Sequence, residues 1–311
     1  MPASAAAWTE VLESECLVDM DRLRDLCRRG IPPLFRADAW SYLLGVNPPE
    51  KAHELTHRTR MERHYLQLDT TGRATQSLGD DDTSLIQRTV RTFQGNGEPS
   101  SQVRTTQILE RIISAHMQNS SVDFDTGIVA LASPFAVLYN HSEVDAFHCF
   151  HEFMLALEWG LTFPGHKAMF VMFMTLLRYL LPELCDYFET IDWEFHWLES
   201  WLKFLLAREL PQQTLFSLWD CYFAADTLSA SVTASSMSTA TASTLMVPKG
   251  SVQELHVYVC LAILENCQQE LFELDSEDML QYLRRLPQIE AWEIVSSAQD
   301  MRQACAIDIF S

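Results

Sequence analysis

The chain has 311 residues, of which 48% are hydrophobic, and its 22 Lys and Arg against 42 Asp and Glu give a formal charge of −20. This length suffices for one large or two small domains with a sizeable core, and the hydrophobic share excludes a disordered chain. Nucleic acids and anionic membranes attract cations, so the charge argues against general binding to either surface. A local basic site is compatible with it.

Helical periodicity dominates the first third of the chain, and alternating strand patterns are nearly absent. We predict three helices here, over residues 19–29, 37–44 and 50–68. Gly30 and Gly45 follow the first two segments, as glycines do where helices end. Two polar stretches with glycine or proline, 70–83 and 94–101, are predicted loops, and the first contains the acidic triplet Asp80-Asp81-Asp82.

The chain becomes markedly more apolar from Ile128 onward, which predicts a set of buried helices. The segments with helical spacing are 128–139, 144–159, 168–181, 196–207, 212–224, 255–265 and 276–286. Trp197, Trp201 and Leu205 recur at four-residue steps, a stripe typical of core packing rather than of a cofactor site. We therefore predict an all-α fold.

One low-complexity segment interrupts this pattern. Residues 227–244 are almost entirely Ser, Thr, Ala, Met and Leu, without an aromatic or charged residue, which is typical of a flexible surface insertion. Apolar helical faces on both sides favour a single domain at 19–300, interrupted by a low-complexity loop at 226–250. Residues 1–18 are predicted to be an N-terminal extension, and residues 301–311 a C-terminal tail.

The cysteines and the apolar runs indicate in which cellular compartment the protein is expected. None of the eight cysteines forms a Cys-x-x-Cys pair and most lie inside apolar stretches, which predicts buried reduced thiols in a cytosolic protein. The N-terminus lacks the basic and apolar regions of a signal peptide. The most apolar run, 168–177, is shorter than the ~20 residues that span a bilayer, so we expect no transmembrane segment.

The sequence lacks the common motifs of hydrolases and transferases. The sequence contains no Walker loop, no nucleophile elbow and no His-Glu-x-x-His motif. His148 and His151 lie three residues apart on a predicted helix and could share a metal ion, with Glu152 or His141 as a third ligand. The surrounding face is apolar and offers no partner pair, which favours hydrogen-bonded or exposed histidines and no metal site.

Positive charge is scarce, and Arg88, Arg91 and Arg104 form a cluster just after the acidic triplet. The residues alone leave two interpretations open. The cluster is either a solvated stretch whose arginines neutralise Asp80–Asp82, or a local positive site. Physical reasoning by itself favours the first interpretation.

Five segments occur in order along residues 20 to 290. They are Arg29-Gly30-Ile31-Pro32 with Arg36, Trp40 and Leu43-Leu44-Gly45; Leu85 to Phe93; Phe124 to Phe135; Glu143 to Phe150; and Leu218 to Phe223. In this order and spacing they resemble the motifs of the TBC domain family, the Rab GTPase-activating proteins. The resemblance implies an all-α, two-lobed, multi-helix TBC fold, which agrees with the periodicity, and a role in vesicle trafficking.

The resemblance also implies that the chain stimulates GTP hydrolysis on a Rab-type small GTPase, acting in trans without turning over a substrate of its own. The family is known for an arginine that stabilises charge developing on the γ-phosphate and a glutamine that orients the attacking water. The arginine falls on Arg91, since Thr92 and Phe93 follow it. The glutamine position falls on Thr126, directly before Gly127.

Three positions depart from the family pattern. Thr126 is too short to reach where a glutamine amide reaches, and it lacks the NH₂ donor. Arg88 stands where the motif has Asp, and Phe124 stands where it has Tyr. The residues that the resemblance assigns to partner binding are Arg88, Thr92, Phe124, Gly127, Trp219 and Asp220.

Three functions are compatible with these departures. The chain is a working activator that relies on Arg91 and on the partner's own glutamine, a module that binds a Rab without strong catalysis, or a scaffold that has lost Rab contact, in decreasing order of preference. The expected partner is a Rab-family GTPase carrying its own GTP and Mg²⁺. We expect no cofactor, metal or nucleic acid, and a cytoplasmic protein that reaches membranes through its GTPase partner.

Overall fold

The computed structural model describes residues 4–28, 30–69, 79–94, 99–120, 124–191, 195–225 and 246–308. Within these ranges the chain forms fifteen α-helices, one 3₁₀ turn at Lys51–His53 and an isolated bridge between Leu17 and Glu50, without a β-strand. The all-α prediction is confirmed. In the same ranges, no helix combines the length and apolarity that crossing a bilayer would require.

The chain divides into two compact units, Met1–Met154 and Leu155–Ser311. Helices of the first unit are α1 (Ala5–Leu12), α2 (Met20–Cys27), α3 (Pro33–Leu43), α4 (Glu54–Asp69), α5 (Asp80–Gln94), α6 (Pro99–Ser120), α7 (Thr126–Leu138) and the start of α8 (Glu143–Leu161). The second unit continues with α9 (Phe163–Leu180), α10 (Pro182–Ile191), α11 (His196–Phe204), α12 (Gln212–Ala224), α13 (Val252–Glu273), α14 (Ser276–Arg284) and α15 (Ala291–Asp308).

Short polar side chains define where many of these helices begin. Ser, Thr and Asp accept hydrogen bonds from backbone N–H groups of the first turn, which otherwise have no partner. These N-cap residues are Ser4, Asp19, Asp125, Thr162, Ser251 and Asp275. Gly30 and Gly45 follow α2 and α3 with φ of 88° and 74°, a left-handed conformation that glycine adopts without strain.

The acidic triplet belongs to a helix and not to a loop. α5 begins at Asp80, and Asp82 accepts a hydrogen bond from the N–H of Gly79 at 3.0 Å. Acidic side chains are favourable in a first helical turn because they face the positive end of the helix dipole. The prediction of a loop through residue 83 was therefore wrong at its end, while residues 70–78 lie outside the described ranges.

Both chain ends contain helices that pack on their neighbours. α1 packs against α2 and α3, with Trp8 stacked on Phe35 at a ring-centroid distance of 5.8 Å. α15 packs against α12 and α13 and continues to Asp308. The expected extension and tail thus include packed helices, and in the extension the run Ala5-Ala6-Ala7 favours helix. Of the low-complexity loop, residues 226–245 lie outside the described ranges.

The tryptophan stripe lies in the core of the second unit, as predicted. Trp197 and Trp201 are 4% and 0% exposed, and their rings meet edge to face at 4.8 Å. The indole N–H of Trp201 donates to the carbonyl of Leu283 at 2.9 Å, which ties α11 to α14. The prediction of buried thiols holds with one exception, because seven cysteines are buried and form no disulfide while Cys16 is exposed.

Candidate functional site

α5 divides its residues between a buried and an exposed face. Ile86 and Val90, four residues apart, are buried, and α5 packs against α6 and α7. Arg88, Arg91 and Thr92 are all exposed. The Thr92 hydroxyl donates to the Arg88 carbonyl at 3.1 Å, as threonines within helices commonly do.

The described acidic side chains that precede Arg88 and Arg91 on α5 do not neutralise these two arginines. Among the side chains that the structure describes, none of the ion pairs within 4 Å includes Arg88 or Arg91. Arg91 lies in the last turn of α5, where the helix dipole favours a cation. Arg104, the third member of the cluster, donates instead to the carbonyl of Asn140 at 2.6 Å.

The glutamine position of the family lies at the N-terminus of α7. Asp125 is the N-cap, and its carboxylate accepts a hydrogen bond from the N–H of Gly127 at 2.7 Å. Thr126 is consequently the first helical residue and is exposed, Gly127 is buried, and Phe124 is half-buried. Because α5 and α7 pack together, Arg91 and Thr126 lie on neighbouring helices of the first unit.

Two ion pairs connect the start of α8 to other helices of the first unit. Arg58 of α4 forms an ion pair with Asp145, and its second Nη donates to the hydroxyl of Ser142 at 3.2 Å. Arg111 of α6 donates to both carboxylate oxygens of Glu143 at 2.8 and 3.0 Å. The acidic motif at residues 143–145 therefore connects α8 to α4 and α6. The motif was predicted through resemblance alone, and no sequence signal indicated Arg58 or Arg111 as its partners.

Two residues assigned to partner binding are part of the core of the second unit. Trp219 and Asp220 on α12 are each 0% exposed, so neither side chain can contact a docked protein directly. The indole N–H of Trp219 donates to the carbonyl of Leu205 at 3.3 Å. Leu205 and Leu206 both have left-handed backbones, with φ of 48° and 62°, a conformation unfavourable for leucine. The assignment of Trp219 to partner binding is therefore corrected: its side chain stabilises the turn at Leu205 and Leu206.

The histidines of α8 bond to protein groups. Nε2 of His148 lies 3.2 Å from the carbonyl of Met61, and Nδ1 of His151 lies 3.1 Å from Nδ1 of His116. Burial lowers the pKa of His116 and of His148 to about 4, and for His116 the neighbouring His151 lowers it further. In the described part of the chain, no group of three or more His, Cys, Asp or Glu could hold a metal ion.

The fold and the motifs together define a helical domain of the RabGAP type. A model of the Rab-GTPase-TBC domain family matches residues 33–272, more than half of the chain. The chain belongs to this family.

Two curated relatives and two solved structures agree with this assignment. Human TBC1 domain family member 17 is 28% identical over 216 residues, which is 61% of this chain and 32% of that protein. GTPase-activating protein gyp1 of Schizosaccharomyces pombe is 22% identical over 87% of this chain and 54% of its own length. The chain thus spans about a third to about half of these relatives.

The structural similarity concerns the fold. The Ypt/Rab-GAP domain of Gyp1p superposes with a TM-score of 0.69 at 17% identity, covering 96% of this chain and 97% of that domain. A flagellar RabGAP TBC domain of Chlamydomonas superposes with a TM-score of 0.63 at 18% identity, covering 95% and 90%. The predicted TBC fold is confirmed.

Proposed function

We propose that the chain is a GTPase-activating protein for a Rab-type small GTPase, which inserts Arg91 in trans and thereby regulates vesicle trafficking. The observation that carries the proposal is the placement of Arg91. Arg91 occupies the arginine position of the family motif, is exposed in the last turn of α5, and forms no ion pair with a described carboxylate. A guanidinium held in this way is available to a phosphate brought by another protein.

The chemistry fits an arginine of this kind. Negative charge develops on the γ-phosphoryl oxygens and on the leaving oxygen during GTP hydrolysis, and a small GTPase alone stabilises that charge poorly. A planar guanidinium donates several hydrogen bonds in fixed geometry and stays protonated. An arginine supplied in trans accelerates such reactions ~10³–10⁵-fold. GTP and Mg²⁺ would both belong to the partner, so the chain would need no cofactor.

A second function, a Rab-binding module without strong catalysis, is favoured by one observation. Thr126 is exposed at the start of α7, where the family carries glutamine, and its short side chain cannot orient a water as an amide does. In the activator, the partner's own glutamine orients the water. In the silent module, Arg91 only contributes to binding. In either case the lipid-anchored partner would bring the chain from the cytoplasm to a membrane.

Single-turnover phosphate release from GTP-loaded Rab-type GTPases tests the proposal. We expect the wild-type chain to accelerate at least one of them and Arg91→Ala to remove ~10³-fold of that acceleration. Arg63→Ala is a matched control, because Arg63 is an exposed arginine on α4 and the change in charge is the same. Acceleration that survives Arg91→Ala would refute the role of Arg91. Binding of GTP-loaded Rab without any acceleration by the wild type would establish the silent module.

A further inference from the structure

Two exposed guanidinium groups lie within one turn of each other on α5. Arg88 and Arg91 are three residues apart, so their side chains leave the same helix face with Cβ atoms about 5–6 Å apart. Like charges at this spacing repel each other and destabilise the helix that carries them. In a chain with a net charge of −20, such a pair would be expected to be neutralised by neighbouring carboxylates.

The described residues do not neutralise this pair. Three other exposed arginines form ion pairs: Arg22 with Glu10, Arg111 with Glu143, and Arg178 with Glu189. Nε of Arg88 donates only to the carbonyl of Ser84, at a long 3.4 Å, and the described part of the chain gives its two Nη groups no acceptor. An anion over this face would relieve the repulsion and bind to both groups.

The neighbouring end of α7 offers little to such an anion. The N–H of Gly127 is already occupied by the carboxylate of Asp125, and that carboxylate adds a negative charge beside Thr126. Thr126 contributes one hydroxyl where the family contributes an amide. The positive charge for a phosphate must therefore come from α5 and not from the helix that carries the family glutamine.

We propose that Arg88 is a second catalytic arginine, which contacts the triphosphate of the bound GTPase together with Arg91 and offsets the missing amide at position 126. This inference rests on the proposed function. The reaction itself is unchanged: the oxygen of water bonds to the γ-phosphorus, the bond from that phosphorus to the bridging oxygen breaks with its electron pair left on GDP, and both protons of the water leave with the phosphate as H₂PO₄⁻. Arg88 and Arg91 donate hydrogen bonds only.

The family motif has Asp at the position of Arg88, so the role of Arg88 can be tested by restoring that acid. Under saturating GTP-loaded Rab, Arg88→Ala should lower the stimulated rate about tenfold, and Arg88→Asp, which restores the acid of the motif, should lower it by about a hundredfold. The double variant Arg88→Asp with Thr126→Gln should recover most of that loss, since it carries both residues of the family pattern. Arg63→Ala should leave the rate within about twofold, and thermal melting should verify that each variant folds.

Each outcome has a separate meaning. A stimulated rate that Arg88→Ala and Arg88→Asp leave unchanged, while Arg91→Ala abolishes it, overturns the role of Arg88 and leaves the proposed function intact. A higher rate for Arg88→Asp alone also overturns it, because the acid would then serve better than the cation. A wild-type chain that accelerates no GTPase of the panel overturns the proposed function and this inference together.

Discussion

The carboxylate of Asp125 and the backbone N–H of Gly127 are joined by a 2.7 Å hydrogen bond that fixes the start of α7. The contact satisfies one of the unpartnered N–H groups of the first turn, and caps of this kind contribute ~1 kcal/mol. It also determines which residue is first in the helix and exposed, and that residue is Thr126. A change at position 126 therefore alters a side chain whose backbone is already held in place.

Thr126→Gln should raise the stimulated rate of GTP hydrolysis, by about tenfold, because it restores an amide able to orient the attacking water. The measurement is single-turnover phosphate release on a Rab that the wild type accelerates. Thr126→Met is the matched control, since it has similar length without donor or acceptor. A flat rate with retained Rab binding would count against the placement of the family glutamine on Thr126.

Trp219→Phe should destabilise the chain by ~1–2 kcal/mol, because it removes the donor to the Leu205 carbonyl and leaves that buried oxygen unpaired. Urea denaturation at pH 7 measures the effect. The affinity of the folded variant for a Rab should match the wild type, since Trp219 is fully buried. Weaker Rab binding without a loss of stability would restore Trp219 to the partner-binding set.

The first unit should lose stability in mild acid through His116 and His148. Their pKa values are lowered to about 4 in the folded state, from 6.5, so the unfolded chain takes up protons first as the pH falls. The contribution of each neutral histidine to the free energy of unfolding is fully present well above pH 6.5 and is lost progressively toward pH 4. The loss at pH 5 is on the order of 2 kcal/mol per histidine. His64, His151 and Asp145 are the charged or titratable groups that act on this pair.

Other groups also titrate in this range, so the comparison uses a variant. The urea midpoint of the wild type and of His148→Gln is measured at pH 7.5 and at pH 5. Glutamine keeps a donor for the Met61 carbonyl but does not titrate, so the variant should lose less stability between the two pH values. Equal losses would show that His148 does not carry the effect.

Glu209→Gln should stabilise the second unit at alkaline pH. Burial raises the pKa of Glu209 to about 7, one carboxylate oxygen accepts from the Ser200 hydroxyl, and the other has no described partner. A carboxyl with a raised pKa stabilises the fold below pH 4.5, and that contribution is lost as the pH rises through 7. Glutamine should therefore gain ~3 kcal/mol over the wild type at pH 8 and less than ~1 kcal/mol at pH 5.

Exposed Glu199→Gln on α11 is the control for this prediction, because it removes the same charge from the surface. Glu199 lies in the first turn of α11, so its loss should lower the unfolding midpoint slightly and by the same amount at both pH values. If Glu209→Gln is less stable than the wild type at pH 8, the carboxylate is held by interactions that outweigh its burial.

Periodicity alone predicted the helical class, and most of its helices, because a buried face recurs every three to four residues whatever the tertiary arrangement. It missed α1, α5, α10 and α15, and it placed Asp80, the first residue of α5, in a loop, while the spacing of Ile108, Ile112 and Ile113 indicates α6. Short or polar segments depend on packing partners and on the helix dipole, which a linear pattern does not contain. Neighbouring charges in sequence likewise suggested pairing between the acidic triplet and Arg91 that the described side chains do not make.

The candidate site was predicted by motif and not by physics. Arg91 and Thr126 were assigned through resemblance, and the structure adds their exposure and the packing of their two helices. The same resemblance put Trp219 and Asp220 at a partner surface, although both are buried. A motif records that a residue is needed and does not distinguish contact with a partner from support of a turn. The exposed fraction of the side chain in the structure distinguishes a residue that contacts a partner from one that supports a turn.

The uneven exposure of the thiols makes the chain convenient for spectroscopy. Cys16 is exposed while the other seven cysteines are buried, so a maleimide dye at pH 7 should attach at one position without mutagenesis. Cys16 precedes the bridge between Leu17 and Glu50 and lies on a different segment from α5 and α7. Fluorescence anisotropy of this single label would report GTPase docking for every variant proposed above, on one unaltered attachment site.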